Sequence, residues 1–320
     1  MRRATNGRVA IAGRTEMSAD NVHVDKVDTD VVLVRRLLSA QFPHWADLAI
    51  APVPSAGTDN AIYRLGNEMA VRLPRVHWAV AMVEKEYEWL PRIAPQLPLS
   101  VPVPLGLGVP GEGYPWHWTV CHWIAGENAT VERISDPALM ALDLAQFIVA
   151  LHRIDARGGP LPGPHNVYRG VPLAMRDAST RAAIDSLAGV IDSDRAMSVW
   201  DADLQMPAWD SPPVWIHGDL HSGNLLAVDG RLSAVIDFGC LGTGDPACDV
   251  MAAWLLFDAA TRSVFRAALP VDDATWARGR GLALAFGVGV VSYYKDTNPV
   301  LGGIARRAIA EVLSDHDRGA

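Results

Sequence analysis

The sequence predicts an α+β fold in two lobes, a small antiparallel β-rich lobe with one packed helix and then a larger, mainly helical lobe. Two patterns carry this expectation. Between Leu48 and Ile124, apolar runs of strand length alternate with Gly, Pro and Asn, whereas beyond Pro137 apolar residues recur at helical spacing over long segments. A third observation lies inside the second part, where short hydrophobic strands frame a turn that carries His217, Asp219, His221 and Asn224. At 320 residues the chain can bury a core large enough for one big domain or two lobes.

Taken in order, residues 1–24 are expected to be a flexible basic extension. The apolar run at 9–12 is too short for a secretory signal, and Met17 is an alternative start. Residues 25–124 then form the first lobe. A helix over 28–42, capped by Asp28 or Thr29, ends before Pro43. Strands follow at 48–53, 60–65 and 68–73, the last two joined by a Gly66-Asn67 turn. Helical spacing returns over 76–93, and strands are predicted at 101–107 and 117–124. Residues 125–320 form the second lobe. After a polar joint at 126–136, Ser135-Asp-Pro caps a helix over 138–154; a Gly/Pro-rich loop spans 157–170, and 171–209 is mostly helical and acidic. Helices are predicted at 250–269, 273–291 and 299–314.

Composition narrows the function. Half the residues are hydrophobic and a fifth are charged, which is an ordinary globular balance. Cys121, Cys240 and Cys248 are odd in number and lack C-x-x-C spacing, which speaks against a disulfide framework or a cysteine zinc site and for a cytoplasmic protein. The apolar run from Leu282 to Tyr294 is shorter than the ~20 residues of a membrane span. Net charge is -8, with 12 Lys/Arg against 12 Asp/Glu in residues 1–125 and 16 against 24 thereafter. An acidic second part opposes nucleic-acid and anionic-membrane binding and favours cationic small molecules, with Asp192, Asp194, Asp201 and Asp203 as candidate contacts. Asn128-Ala-Thr130 matches a glycosylation sequon without other signs of secretion.

The chemistry concentrates between Val214 and Gly239. Asp219 stands in a turn after an apolar strand, Asn224 follows five residues on, and Asp237 ends the next strand thirteen beyond that. A base, an amide oxygen and a carboxylate at these intervals are the parts of a phosphoryl-transfer site with bound magnesium. His217 is read as scaffold, its ring holding backbone near the Asp237 turn. A two-metal phosphoesterase is disfavoured, since the upstream histidines offer no Asp-x-His and only His316 lies downstream.

His217-Gly-Asp-Leu-His-x-x-Asn224 followed by Ile236-Asp-Phe-Gly239 resembles the aminoglycoside phosphotransferase family, whose fold is the bilobal protein-kinase-like one. The resemblance runs from about Leu48 to the C-terminal helices. It implies an ATP- or GTP-dependent phosphotransferase acting on a hydroxyl of a small molecule, such as an aminoglycoside or another cationic or sugar-containing compound. Antibiotic modification is one such activity; macrolides and other metabolites are alternative acceptors, and a non-catalytic nucleotide-binding protein is a further alternative. Asp219 would be the catalytic base, Asn224 and Asp237 would hold Mg²⁺, and Asp249 would anchor the catalytic loop from below. A strand lysine is expected two residues after Ala70, but Arg72 stands there, and the chain's only lysines are Lys26, Lys85 and Lys295. Glu86 is the expected partner of Arg72, with Glu84 and Glu88 on a solvated face. Ser55, Gly57 and Thr58 would meet phosphate oxygens, although an ordinary hairpin turn reads equally well there. Cys121, His122 and Trp123 would form the hinge against the nucleotide base, which Ile62, Ala70 and Leu226 would sandwich. Arg169 stands on the Gly/Pro-rich loop, with substrate and a neighbouring acid both open as its partner. A monomer or homodimer is expected.

Overall fold

The computed structural model describes residues 26–54, 59–294 and 298–319; Ser55, Gly57 and Thr58 of the expected phosphate loop, and the 1–24 extension, lie outside them. The first helix, α1 (Val31–Gln41), starts at Asp30, whose carboxylate accepts the Leu33 N–H at 2.7 Å. Three acid or hydroxyl residues crowd this start, and the cap is one to two residues later than Asp28 or Thr29. Strands β1 (Ile50–Val53), β2 (Asn60–Leu65) and β3 (Met69–Pro74) form an antiparallel meander. Helix α2 (Val80–Ile93) follows a short 3₁₀ turn at 77–79. Strands β4 (Pro104–Gly108) and β5 (Trp118–His122) complete a five-stranded antiparallel sheet in the order β1-β2-β3-β5-β4.

Alternation on β2 and β3 gives the sheet two different faces. Tyr63, Leu65, Val71 and Leu73 point to one side and are buried with Leu33, Val34, Leu37 and Leu38 of α1. Burying each such aliphatic side chain is worth about 1.5–3 kcal/mol, so α1 is a structural part of the lobe. Ile62, Ala70 and Arg72 occupy the opposite face. Two helices therefore flank the sheet rather than one, since α2 lies between it and the second lobe, with Leu90 and Ile93 buried in the larger core.

The joint is more ordered than a polar linker. Strand β6 (Glu127–Asn128) pairs with β8 (Leu225–Val228), which pairs in turn with β9 (Arg231–Val235). The Asn128 side-chain amide donates to the Gly223 carbonyl at 2.7 Å, so the sequon asparagine is tied to the turn at 217–224. The second lobe packs α3 (Pro137–Arg153), α4 (Asp177–Ser186) and α5 (Ser193–Leu204) around a core that includes Phe147, Trp200, Trp215 and Trp254. Strand β7 (Val214–Ile216) pairs with β10 (Gly242–Gly244). The segment expected as one helix over 250–269 is divided: α6 (Ala247–Val250) ends where it was to begin, and α7 (Ala252–Leu256) and α8 (Ala259–Ala268) follow, the last restarted by Asp258 capping Thr261 N–H at 2.9 Å. Helices α9 (Asp273–Tyr294) and α10 (Pro299–Gly319) close the lobe. Among the described residues no helix is long and apolar enough to cross a membrane.

Candidate active site

Strand β7 runs directly into the turn at 217–224, and β9 runs into the turn at 236–239, so pairing within the second lobe sets two polar turns side by side. Asp249, wholly buried on α6, supports the first from beneath. Its two oxygens accept the N–H groups of His217 and Gly218 at 3.1 and 2.8 Å, and His152 Nε2 lies 3.1 Å away. This is the anchoring place expected for Asp249. His217 joins the two turns, as its Nδ1 accepts the Asp219 N–H at 3.2 Å and its Nε2 donates to the Ile236 carbonyl at 3.2 Å. Burial lowers the pKa of this ring against the pull of Asp249, Asp219 and Asp237, in keeping with a neutral imidazole that uses both nitrogens.

Gly218 has φ +82°, and a Cβ there would sit 3.0 Å from the Cys240 carbonyl oxygen and 3.1 Å from the stem of Arg169. The turn delivers Asp219 with both oxygens engaged. Oδ1 accepts from Arg169 Nη2 at 3.1 Å and Oδ2 accepts from Asn224 Nδ2 at 3.0 Å, with His221 Nε2 3.4 Å from Oδ2. Burial alone would raise this carboxyl's pKa; His221, Arg169 and His217 outweigh it and hold the group well below the usual carboxylate range. Asn224 Nδ2 also donates to the Asp219 carbonyl at 2.9 Å. The hydrogen bonds of this amide among the described residues all use its nitrogen, which leaves Oδ1 directed elsewhere.

Asp237 adopts the left-handed conformation at φ 61°, and its Oδ1 accepts the Gly239 N–H at 3.3 Å. Its side chain is half exposed, at 51 %, and stands 3.3 Å from Arg72 Nη2. Arg72 reaches down from β3 between Asp237 and Glu86 of α2, which it bonds directly through Nη1. Burial pushes the Glu86 carboxyl up against the pull of Arg72. Glu84, by contrast, pairs with His117 nearer the surface. Asp219 with Asn224, and Arg72 with Glu86 and Asp237, thus form two groups, which His217 joins through the Asp219 N–H and the Ile236 carbonyl.

The residues expected around a nucleotide base are placed as follows. Ile62 and Ala70 share one face of the sheet, and Leu226 is buried on β8. At the hinge, however, the N–H groups of His122 and Trp123 are already used, donating to Val103 and Glu68 carbonyls at 3.0 and 2.7 Å. These two amides are therefore not the donors that would read a base edge. Cys121 Sγ faces the Ala70 carbonyl at 3.7 Å, and Arg64 stacks over Trp123 at 4.2 Å. The four candidate substrate acids are also largely committed. Asp203 is buried against Arg280 at 2.7 Å, Asp201 pairs with Arg181, and Asp192 caps α5 by accepting the Arg195 N–H at 3.1 Å.

Lys85 is a site residue that the sequence reading passed over. It is buried, and its Nζ donates to the carbonyls of Gly239 and His165 at 2.8 and 3.0 Å, tying α2 to the Asp237 turn and to the loop before Arg169. Burial lowers its pKa from 10.5 to about 8. The signal was present: 82, 85, 86, 90 and 93 fall on one arc of a helix, which places Lys85 beside Glu86 on the inward face.

Residues 50–282 match the family described as the phosphotransferase enzyme family. The chain belongs to this family. Phosphotransferases of the family are small-molecule kinases, and solved structures bear out the fold. A GDP complex of a point variant of aminoglycoside 2'-phosphotransferase IIIa aligns with TM-score 0.67 at 18 % identity, covering 91 % of this chain and 98 % of that one. A GDP and kanamycin complex of a second aminoglycoside phosphotransferase gives 0.68 at 16 % identity, covering 88 % and 98 %. The macrolide 2'-phosphotransferase MphH from Brachybacterium faecium gives 0.59 at 20 % identity, covering 86 % and 96 %. At such identities the likeness is one of fold. Comparison with curated protein sequences returns no match.

Proposed function

We propose that this phosphotransferase moves the γ-phosphate of ATP or GTP to a hydroxyl of a small molecule, with Asp219 as the base. The observation that supports the reading is that Asp219, bonded to Asn224, and Asp237, paired with Arg72 beside Glu86, stand on two neighbouring turns joined by His217. GDP- and ADP-bound structures among the similar proteins support a nucleotide at that site.

Asp219, held ionised, would accept a hydrogen bond from the acceptor hydroxyl, orient its oxygen toward phosphorus and take the proton as the P–O bond forms. Arg72 would set fixed positive charge against the phosphates, and Glu86 fixes where that guanidinium points. The half-exposed Asp237 carboxylate and the uncommitted Asn224 Oδ1 are hard oxygen donors that fit magnesium. Held by these two residues, magnesium would supply charge against the phosphate oxygens. Ile62, Ala70 and Leu226 would enclose the base.

The acceptor is a hydroxyl compound of the kind the similar proteins handle, among them kanamycin, gentamicin and macrolides. Since three of the four candidate acids are bound to arginines or a helix start, the reading does not depend on a polycation. A screen of ATP consumption over aminoglycosides, macrolides and metabolite alcohols tests it. Asp219→Ala is expected to abolish turnover, and Asp237→Ala to abolish both turnover and magnesium-dependent nucleotide binding. Near-normal activity in Asp219→Ala would sink the assignment.

A further inference from the structure

Arg169 of the 157–170 loop reaches Asp219 and Gly218, and the loop is built in an unusual way around it. Val167 and Tyr168 are consecutive non-glycine residues in the left-handed region, at φ 54° and 53°, and Gly170 follows at 84°. For a β-branched residue this is a real outlier, costing energy that the surrounding structure must offset. The side chains of Val167 and Tyr168 are 51 % and 50 % exposed, so packing of those side chains does not explain the conformation.

Hydrogen bonds hold the loop from every side. The Arg176 guanidinium donates to the Tyr168 carbonyl at 2.9 Å and, more weakly, to that of Val167 at 3.4 Å. Asn166, wholly buried, accepts the Gly163 N–H at 3.0 Å and donates to the Arg169 carbonyl at 3.2 Å. The Gly170 carbonyl accepts the Asp245 N–H at 3.1 Å, and Asp245 is itself fixed by Arg278 at 2.8 Å. On the other side, Lys85 grips the His165 carbonyl. With both flanks fixed, the Arg169 side chain passes beside the bare Cα of Gly218, and its Nη2 meets Asp219 Oδ1 at 3.1 Å. Its Nε is buried without a hydrogen-bond partner among the described residues.

We propose that Arg169 is a positioning residue for phosphoryl transfer: it pins Oδ1 of Asp219 and so fixes the orientation in which the carboxylate meets the acceptor hydroxyl. The strained loop exists to hold that guanidinium in place. This inference rests on the reading of Asp219 as the base. It goes beyond that reading by assigning the carboxylate's orientation to a residue outside the motif.

The test uses Arg169→Ala and Arg169→Lys in the full chain, with ATP turnover measured on kanamycin, gentamicin and a macrolide. Displacing a reacting group by about 1 Å can cost on the order of a hundredfold, so Arg169→Ala is expected to lose roughly ten- to a hundredfold in kcat. The KM for ATP should stay within about twofold, because the interaction acts on the chemical step. Added guanidinium ion should restore part of the lost kcat in Arg169→Ala, and Arg169→Lys should fall between the two. Wild-type kcat in Arg169→Ala, or a loss that guanidinium leaves unmoved, overturns the assignment. If the wild type phosphorylates none of these acceptors, the acceptor reading fails, and a crystal structure of Arg169→Ala still decides the positioning claim. An Asp219 carboxylate turned away from its wild-type orientation supports it, and an unchanged one refutes it.

Discussion

Removing the carboxylate of Asp249 tests how the catalytic turn is held. In the folded chain this group is fully buried and accepts two backbone N–H groups, at 3.1 and 2.8 Å, with His152 at 3.1 Å. Asp249→Ala would leave both N–H groups buried without an acceptor, at about 1–3 kcal/mol each, hence roughly 2–6 kcal/mol in all. Against a total stability of about 5–15 kcal/mol this is a large share. With a urea slope of about 2 kcal/mol per molar, the unfolding midpoint should fall by roughly 1–3 M. Asp249→Asn keeps one acceptor oxygen and should lose about half as much. The assay is urea unfolding followed by tryptophan fluorescence, since Trp215 and Trp254 are buried in the core next to the affected turn. Turnover of the folded fraction should drop as well, because His217 and Gly218 carry Asp219. An Asp249→Ala protein with its midpoint within about 0.3 M of wild type and unchanged kcat would refute the argument.

Three further outcomes are expected. Because burial depresses Lys85 from 10.5 to about 8, the unfolded chain binds the extra proton between those values, and this residue's contribution to stability rises with pH from about 8 to 10.5. The difference in unfolding free energy between wild type and Lys85→Met should therefore change by at most about 3 kcal/mol across that window; a flat difference curve contradicts the burial argument. Arg72→Lys replaces a guanidinium shared by Glu86 and Asp237 with a single ammonium. It should raise the KM for ATP roughly tenfold while leaving thermal stability little changed, and an unaltered KM would remove Arg72 from the phosphate site. Val167→Gly should raise stability by about 0.5–1 kcal/mol, the relief of left-handed strain less the entropy of glycine; differential scanning calorimetry showing a clear loss would mean the strain was misjudged.

Much of the site was legible because it is local in sequence. His217, Asp219, Asn224 and Asp237 fall within about twenty residues, and two short strand pairings suffice to set them together. The sheet was legible too, since alternation on 60–65 and 69–74 assigns each residue to a face. The α1 start was misplaced because Asp28, Thr29 and Asp30 are all competent caps, and backbone geometry selects between them. The break of 247–268 into three helices escaped notice because its apolar spacing is continuous, and the Asp258 cap was the single local sign of a restart. Lys85 and Arg169 were harder. Their partners lie 154 and 50 residues away, and no local pattern states which carbonyl or carboxylate a long cation will find once the chain folds. The acids at 201 and 203 misled in the opposite sense, since counting charge takes no account of arginines from other helices that pair with them, and Asp192 is spent on a helix start.

Putting an arginine where β3 usually offers an amine changes the covalent chemistry of the cleft. Nucleotide probes that carry an acyl phosphate react with neutral primary amines beside the phosphates and leave guanidinium groups untouched. Arg72 gives such a reagent nothing to acylate. Lys85, on the same helix as Glu86, donates to two carbonyls, and burial brings its pKa down to about 8. Activity-based profiling that counts kinases through a strand lysine would then find no amine on β3 of this enzyme, and any labelling near pH 8 would report Lys85, whose neutral fraction burial enlarges.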